Sequence, residues 1–523
     1  QNVHTSRTEQ EENMNKIHRI HAGLLATVCA AAMLPGLSSS AAKQTVLKGY
    51  RGDLNQDQTV TIADAVILSK HLTNAQPLMA EYGLNADADA NGTVDSFDLA
   101  YIKRICLGFA EPIGIYEEID VPDAQFIDAP IKEVKASLPS QGEAELVIFY
   151  VDFPDCQYTY DPSAEYIDQI AFGSESTESA IYPFESMRAF YSRSSKGAME
   201  LSGKTFRYTT KENASAYGTD KVKLAKECYE AFKDSEDFTE FDGNGDGKID
   251  ATLFTVPTAA GDTDWWPCAG AFGDESYRVD GMAIGHIITG NAQIESETDY
   301  KNFVSSYLHE MGHCMGLPDY YLYWGTDSEG MHGAAGIELM DTDASSDFGA
   351  FSKLMLGWYQ SDQIAVYDNT TGTQTFTLHN AQTQNGNCVI IPCGELDGQY
   401  FSEYFVIEYA SAQANNSSLP WWQTSGSGVR IYHINATLQR DYWYTYLKYQ
   451  NGTEYNNDGV GIRAIRIVND TDGDNFFHQD DVINSSVSGF GWYDSSENES
   501  IDPGVTITVG ALENDAYTIT LTK

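Results

Sequence analysis

The sequence is short of cations. Lys and Arg total 31 against 76 Asp and Glu, a net charge of −45. A surface that acidic repels phosphate backbones, which excludes nucleic acid as a partner. It is well suited to Ca²⁺, which takes clustered carboxylate oxygens. Cysteine pairs are also lacking. The 8 cysteines show no C-x-x-C and no zinc-finger spacing, so neither a thiolate metal site nor a disulfide framework is expected. Only Cys388 and Cys393 lie close enough in sequence to suggest a bridge. Beyond the N-terminal region no apolar run could span a membrane. Bulk disorder is excluded as well, because 42% of the 523 residues are hydrophobic and 12% aromatic.

An export signal comes first. Met14, Lys16 and Arg19 give a basic start, residues 22–37 are apolar, and 38–42 are small. That three-part pattern predicts a secretory signal over 14–42, cleaved near Ala42, and an extracellular protein. Residues 1–13 read as an upstream extension.

Two acidic loops follow at a fixed offset. In the first, Asp53, Asn55, Asp57 and Asp64 place oxygens at loop positions 1, 3, 5 and 12, with Thr59 at position 7. In the second, Asp87, Asp89, Asn91, Thr93 and Asp98 repeat the spacing. Alternate residues of a tight loop, closed by a carboxylate at position 12, wrap a cation that wants six to eight oxygens. Gly92 suits the sharp turn at position 6; Gln58 makes the first loop less regular. An apolar helical stretch trails each loop. Asp at position 12, with a helix only after the loop, resembles a type I dockerin over roughly residues 48–110, within a domain expected over 43–110. The resemblance implies a small α module of paired EF-hand-like loops, holding two Ca²⁺ and docking onto a cohesin of a scaffoldin, as in cellulosomes. It also implies cohesin contacts at positions 10 and 11, here Ile62, Ala63, Ser96 and Phe97. Residues 111–143 lack periodicity and read as a linker or pro-segment. In a pro-segment, Asp120, Asp123 or Asp128 would supply a carboxylate to cap a metal site.

The next motif runs from His309 through Glu310 and His313 to Gly316 and Asp319. Phe303, Val304, Tyr307, Leu308, Met311 and Met315 recur every three or four residues, as on a buried helix. Histidines four apart project from one helix face and can share one Zn²⁺. Glu310 falls beside them, placed to take a proton from metal-bound water. Gly316 lets the chain leave the helix sharply. Asp319 can then return as third ligand, with His332 and Glu338 as competitors. The pattern resembles the metzincin zinc site with Asp in place of the third His, and Met340 matches the Met-turn. Together with the strand over 147–155, the helix near 184–194 and the apolar segment 348–358, it resembles the immune inhibitor A family of secreted metallopeptidases. That resemblance implies an α/β metzincin-like catalytic domain over 144–362 that cleaves protein or peptide substrates.

Inside that domain, Asp242, Asn244, Asp246 and Asp250 form a third loop, either a further Ca²⁺ site or an Asx-rich turn. Residues 280–289 read as a strand, at the edge beside a substrate or in the interior. Residues 363–523 alternate short β-type runs with polar turns, which predicts a β-sandwich. Trp421, Trp422 and Trp443 read as core residues, with carbohydrate binding as the alternative. Residues 470–474 read as a polar turn. The chain as a whole is expected to be multidomain. The leading expectation is a secreted zinc endopeptidase tethered through a dockerin. The rival is an inactive, scaffold-attached adhesion or carbohydrate-binding component.

Overall fold

The computed structural model describes residues 43–523 apart from 56–58, 76–77, 79–82, 111, 121–135, 161–162, 219, 261–264, 293, 295, 322–333, 335, 342–345, 370–371, 384–385, 395, 397–401, 418–426, 436, 441–444, 449–462 and 470–474. The signal, Asp57, Asp123, Asp128, His332, Trp421, Trp422, Trp443 and the 470–474 turn therefore lie outside the described residues. The chain divides into two compact units, Gln1–Pro122 and Asp123–Lys523.

The first unit contains β1 (Lys43–Tyr50), α1 (Ile62–Leu72), α2 (Gly83–Ala86), α3 (Ser96–Cys106) and β2 (Gly114–Asp120). Thr61 and Asp95 each close a capping box, with Asp64 and Asp98 as its other half. The same two carboxylates thus start the helices and end the loops. Leu54, Ala65, Leu68, Ala86, Ala88 and Ile102 form a small shared core. β1 pairs antiparallel with β2. The stretch expected as a linker or pro-segment, 111–143, therefore contributes a strand, Gly114–Asp120, to this unit.

The second unit opens with β3 (Gly142–Asp152), α4 (Ala164–Phe172), α5 (Met187–Ser194) and β4 (Met199–Thr209). It continues through α6 (Lys221–Phe232), β5 (Lys248–Pro257), β6 (Cys268–Ala271), β7 (Ala283–Ala292), α7 (Glu297–Cys314) and α8 (Ala350–Met355). The sheet order is β4-β3-β5-β7-β6, parallel except for β6. Its inner strands β3 and β5 are buried on both faces along most of their length, as parallel sheets require. Leu146, Ile148 and Tyr150 face the core beneath α4, α5 and α7. Val147, Phe149 and Val151 face α6 on the other side. β7 is thus interior, and the edge strand on its side of the sheet is the short antiparallel β6.

The remaining strands are β8 (Ile364–Val366), β9 (Thr373–His379), β10 (Cys388–Pro392), β11 (Glu403–Ala410), β12 (Gly428–Asn435), β13 (Thr437–Arg440) and β14 (Thr445–Lys448). They end with β15 (Ile465–Ile467), β16 (Val482–Ile483), β17 (Trp492–Tyr493), β18 (Glu499–Ile501), β19 (Thr506–Glu513) and β20 (Ala516–Thr522). A sheet β15-β12-β11-β10-β8 shares a core with a sheet β16-β19-β20-β9. The other face of the first sheet, through Ile390, Tyr404, Val406 and Tyr432, joins the core that holds α7. The β region is therefore one wall of the α/β core, which explains its unbroken apolar strands.

Cys388 and Cys393 are both free, one buried and one exposed. Five residues apart along extended chain, they leave on opposite faces and cannot bridge. Among the described residues no helix is long and apolar enough to cross a membrane.

Candidate metal centre and docking module

Helix α7 carries the motif and is capped at both ends. The Ser296 hydroxyl accepts from the Asp299 amide at its start. At its end Gly316 adopts φ +100°, a conformation that a side chain would strain. Gly316 then donates to His313 O at 2.9 Å and Leu317 to Gly312 O at 3.1 Å. The chain turns back here, as the sequence predicts, and carries Asp319 to the two imidazoles.

Each imidazole is held from behind. His309 Nδ1 lies 2.8 Å from Leu339 O, and His313 Nδ1 lies 2.7 Å from Leu317 O. A carbonyl can only accept, so each Nδ1 carries the proton and each Nε2 points inward. The inward atoms meet Asp319 Oδ1 at 2.9 Å from His309 and 3.2 Å from His313. His309, His313 and Asp319 thus offer three ligand atoms within 4.8 Å of one another. Neutral imidazoles would here turn lone pairs on a carboxylate. That arrangement is stable only with cationic charge between them, supplied by a metal ion or by extra protons. The pKa directions show the same demand. Burial opposes charge on His313, yet Asp319 lifts it to about 9. Burial likewise raises the Asp319 carboxyl, but the two imidazoles outweigh it and hold the group far below the usual range. Two nitrogens and one carboxylate oxygen, with their rear atoms anchored, fit zinc with a position left open.

Glu310 is not in that cluster. It is buried beside it, and its carboxylate accepts from the Ala269 amide of β6. Burial raises its pKa, and His313 and His309 partly offset the rise. That suits a group that must gain and lose a proton.

Met340 lies under the helix. A Cβ on Gly312 would meet Met340 Sδ at 2.4 Å, so the helix and the turn touch where only glycine fits. Glu338, a competitor for the third ligand, is committed elsewhere. Its oxygens accept from the Met340 amide at 2.5 Å, the Gly349 amide at 3.2 Å and the Ser352 hydroxyl at 2.5 Å. Burial pushes its pKa to about 7.

Sequence reading missed the brace behind this turn. Arg430 of β12 donates to Ile337 O at 3.2 Å and pairs with Glu408 of β11 at 2.5 Å. Both are fully buried, and Tyr432 also donates to Glu408. The available signal was a charge in each of two otherwise apolar strands. Arg430→Met should cost roughly 3–5 kcal/mol in denaturant unfolding, because Glu408 is left buried and unpaired. A loss below about 1 kcal/mol would mean that water reaches Glu408.

In the first unit the second loop is ordered around its acids. Asp87, Asp89 and Asp98 place carboxylate oxygens within 4.8 Å of one another. Asp87 accepts from the Asn91 and Gly92 amides at 3.0 and 3.1 Å. Asn91 also accepts from Thr93. Asp98 accepts from the Asp89 amide at 3.2 Å, and burial raises its pKa. In the first loop Asp64 accepts from Leu54 and Asn55 at 2.8 and 3.1 Å, while Asp53 is buried and Thr59 exposed. Gly92 takes φ +88° at position 6, as the turn requires.

The third loop repeats part of this pattern. Asp242 accepts from the Asp246 and Gly247 amides, both at 2.9 Å, and Asn244 accepts from Asp246. Asp250 is buried and accepts instead from Glu145 and Gly243, with burial raising it to about 8. Asp246 pairs with Lys248. The four residues do not form a three-ligand cluster among the described residues.

Residues 51–106 match the dockerin type I domain. This part of the chain is a dockerin, whose partner is a cohesin and whose ion is Ca²⁺. No curated protein matches the chain. Two crystal structures of wild-type OgpA from Akkermansia muciniphila align with it at 16% and 14% identity. They cover 55% and 64% of this chain and 75% and 84% of their own, with TM-scores of 0.24 and 0.23.

Ile62 and Phe97 open α1 and α3 as exposed apolar residues, 65% and 69% accessible. Ala63 and Ser96 complete pairs that differ in size and polarity. The cohesin contacts expected at these pairs would therefore differ between the two repeats, and a single binding orientation should dominate and vanish when Ca²⁺ is removed. Calorimetry on each pair mutated alone tests this. Normal binding by both single-pair mutants, with failure only in the double, would show interchangeable faces.

Proposed function

We propose that this chain is a zinc-dependent endopeptidase, exported and fixed to a cohesin-bearing, cellulosome-type scaffold by its dockerin. The observation that carries the reading is the convergence of His309 Nε2, His313 Nε2 and Asp319 Oδ1 beside a separate buried carboxylate, Glu310. His309, His313 and Asp319 would hold the ion. Zinc bound there supplies a Lewis acid that lowers the pKa of water and polarises a carbonyl.

The chain's own groups do the rest. Glu310 accepts the proton of the attacking water and returns it to the leaving amine. The Ala269 amide keeps its carboxylate oriented between those events. Glu310 thus lies beside β6, a strand at the edge of the sheet. An extended peptide can add to that edge as a further strand, with its scissile bond carried past Glu310. Met340 and the Glu338 turn fix His309 through Leu339. The two dockerin loops take Ca²⁺, while the third loop, whose acids do not converge, is read as an Asx-rich turn.

Casein incubated with the purified protein, with and without phenanthroline, tests the reading. Fragments that appear only without the chelator support it. Intact casein under zinc-replete conditions would favour a scaffold-attached component without catalysis.

A further inference from the structure

Strand alternation turns His433 of β12 to the face opposite Arg430 and Tyr432, where it meets two carboxylates. It is buried, with Nδ1 2.8 Å from Glu499 Oε1 of β18 and Nε2 3.0 Å from Glu403 Oε1 of β11. Arg466 of β15 donates to the second oxygen of Glu499 at 2.7 Å. The Tyr493 hydroxyl of β17 also lies beside Glu499 and accepts from the Arg463 amide at 3.2 Å. The Cys393 thiol, which follows β10, lies beside Glu403.

This cluster ties down a hairpin. β17 and β18 pair antiparallel, and residues 495–498 of the turn between them are exposed. The Tyr493 amide donates to Glu403 Oε1 at 2.8 Å, and its ring stacks on His433 at 4.7 Å. Trp492 stacks on Phe405 of β11 at 4.4 Å. Glu499 brings the other arm of the hairpin to the same imidazole.

Charge decides when the arrangement holds. A neutral imidazole donates from one nitrogen only, so its other lone pair would face a carboxylate. The imidazolium donates to both, and His433 with Arg466 then balances Glu403 and Glu499. Without that proton a largely buried carboxylate loses its counter-charge, which is costly. Burial alone would lower the His433 pKa, but its bonds to Glu403 and Glu499 outweigh burial and raise it. The stability from such a group is fully present below the ordinary histidine value of about 6.5 and is lost as pH rises through the raised one. Glu499 has the opposite sign. Burial raises it, but His433 and Arg466 hold it below the usual carboxylate range, so its share is lost only as pH falls through that depressed range.

We propose that His433 is the latch of a pH-released strap: the hairpin 492–501 stays docked while the imidazole is charged and lifts off once it is neutral. Release uncovers the Phe405 ring on which Trp492 is stacked. The device is independent of the metal centre.

Hydrogen–deuterium exchange on the full-length protein, corrected for intrinsic exchange at each pH, tests it. Protection of the amides over 492–501 should fall by about tenfold or more between about pH 6 and about pH 10, since each unit of raised pKa is a factor of ten. Protection over β19 and β20 should hold. Glu499→Gln should abolish the fall. Its amide nitrogen can donate to the bare Nδ1 of a neutral imidazole while its oxygen still accepts from Arg466, so the strap stays docked in alkali. A histidine with a merely structural role would not be rescued in this way. NMR of ring-labelled histidine, with His433 assigned from the His433→Gln spectrum, gives a second readout that does not need the Glu499 variant. The ring should lose its proton over the same pH range in which protection is lost. Equal wild-type protection at both pH values, an unchanged fall in Glu499→Gln, or a ring that keeps its proton while the strap opens would each overturn the proposal.

Discussion

Glu310→Gln protein should retain its zinc and lose proteolysis by about two to four orders of magnitude, the usual contribution of a general base. Glu310 is outside the three-ligand cluster, so metal content should match the wild type. Its amide replacement still offers an oxygen to the Ala269 N–H, so the local packing should survive. What it cannot do is take a proton at neutral pH. Metal analysis after dialysis and casein turnover are measured on the same preparation. Wild-type turnover in a zinc-loaded variant would remove Glu310 from the mechanism.

Asp319→Ala should act on the metal instead. Asp319 Oδ1 is the atom on which both Nε2 groups converge, at 2.9 and 3.2 Å. Removing it leaves two imidazoles, both still anchored through Leu339 and Leu317. Zinc should then be lost on dialysis, by about ten- to a hundredfold or more in affinity, since even partners behind the ligands are worth that much. Activity should fall with metal content. Undiminished zinc after dialysis would place the third ligand elsewhere, with His332 the next residue to replace. The two variants separate the roles: one keeps metal without chemistry, the other loses both.

The dockerin was legible because its chemistry is local. Each ion-binding loop lies within twelve residues, and the carboxylate that closes the loop also caps the next helix. The strand pair β1–β2 was not, because its halves lie on either side of all three helices and carry no turn signal between them. The α7 motif was legible for the same local reason. Helical spacing fixes His309, Glu310 and His313, and Gly316 marks where the chain reverses. What supports the motif was hidden. Leu339 O, Ala269 N–H and Arg430 come from segments distant in sequence, and two of the three are backbone groups without side-chain identity. The placement of 280–289 was undecided because an apolar run reads alike in the interior and at the edge. Only the pairing with β6 settles it. The cysteine bridge failed on alternation, which five residues of extended chain make unavoidable.

The central claim is that His309, His313 and Asp319 hold one catalytic zinc. The most direct measurement is a zinc titration of protein stripped with phenanthroline, in calcium-containing buffer, while casein cleavage is followed. The account predicts no cleavage at the start and a linear return that saturates at one equivalent of zinc. Cleavage by the stripped protein, or a return driven by calcium alone, would contradict it.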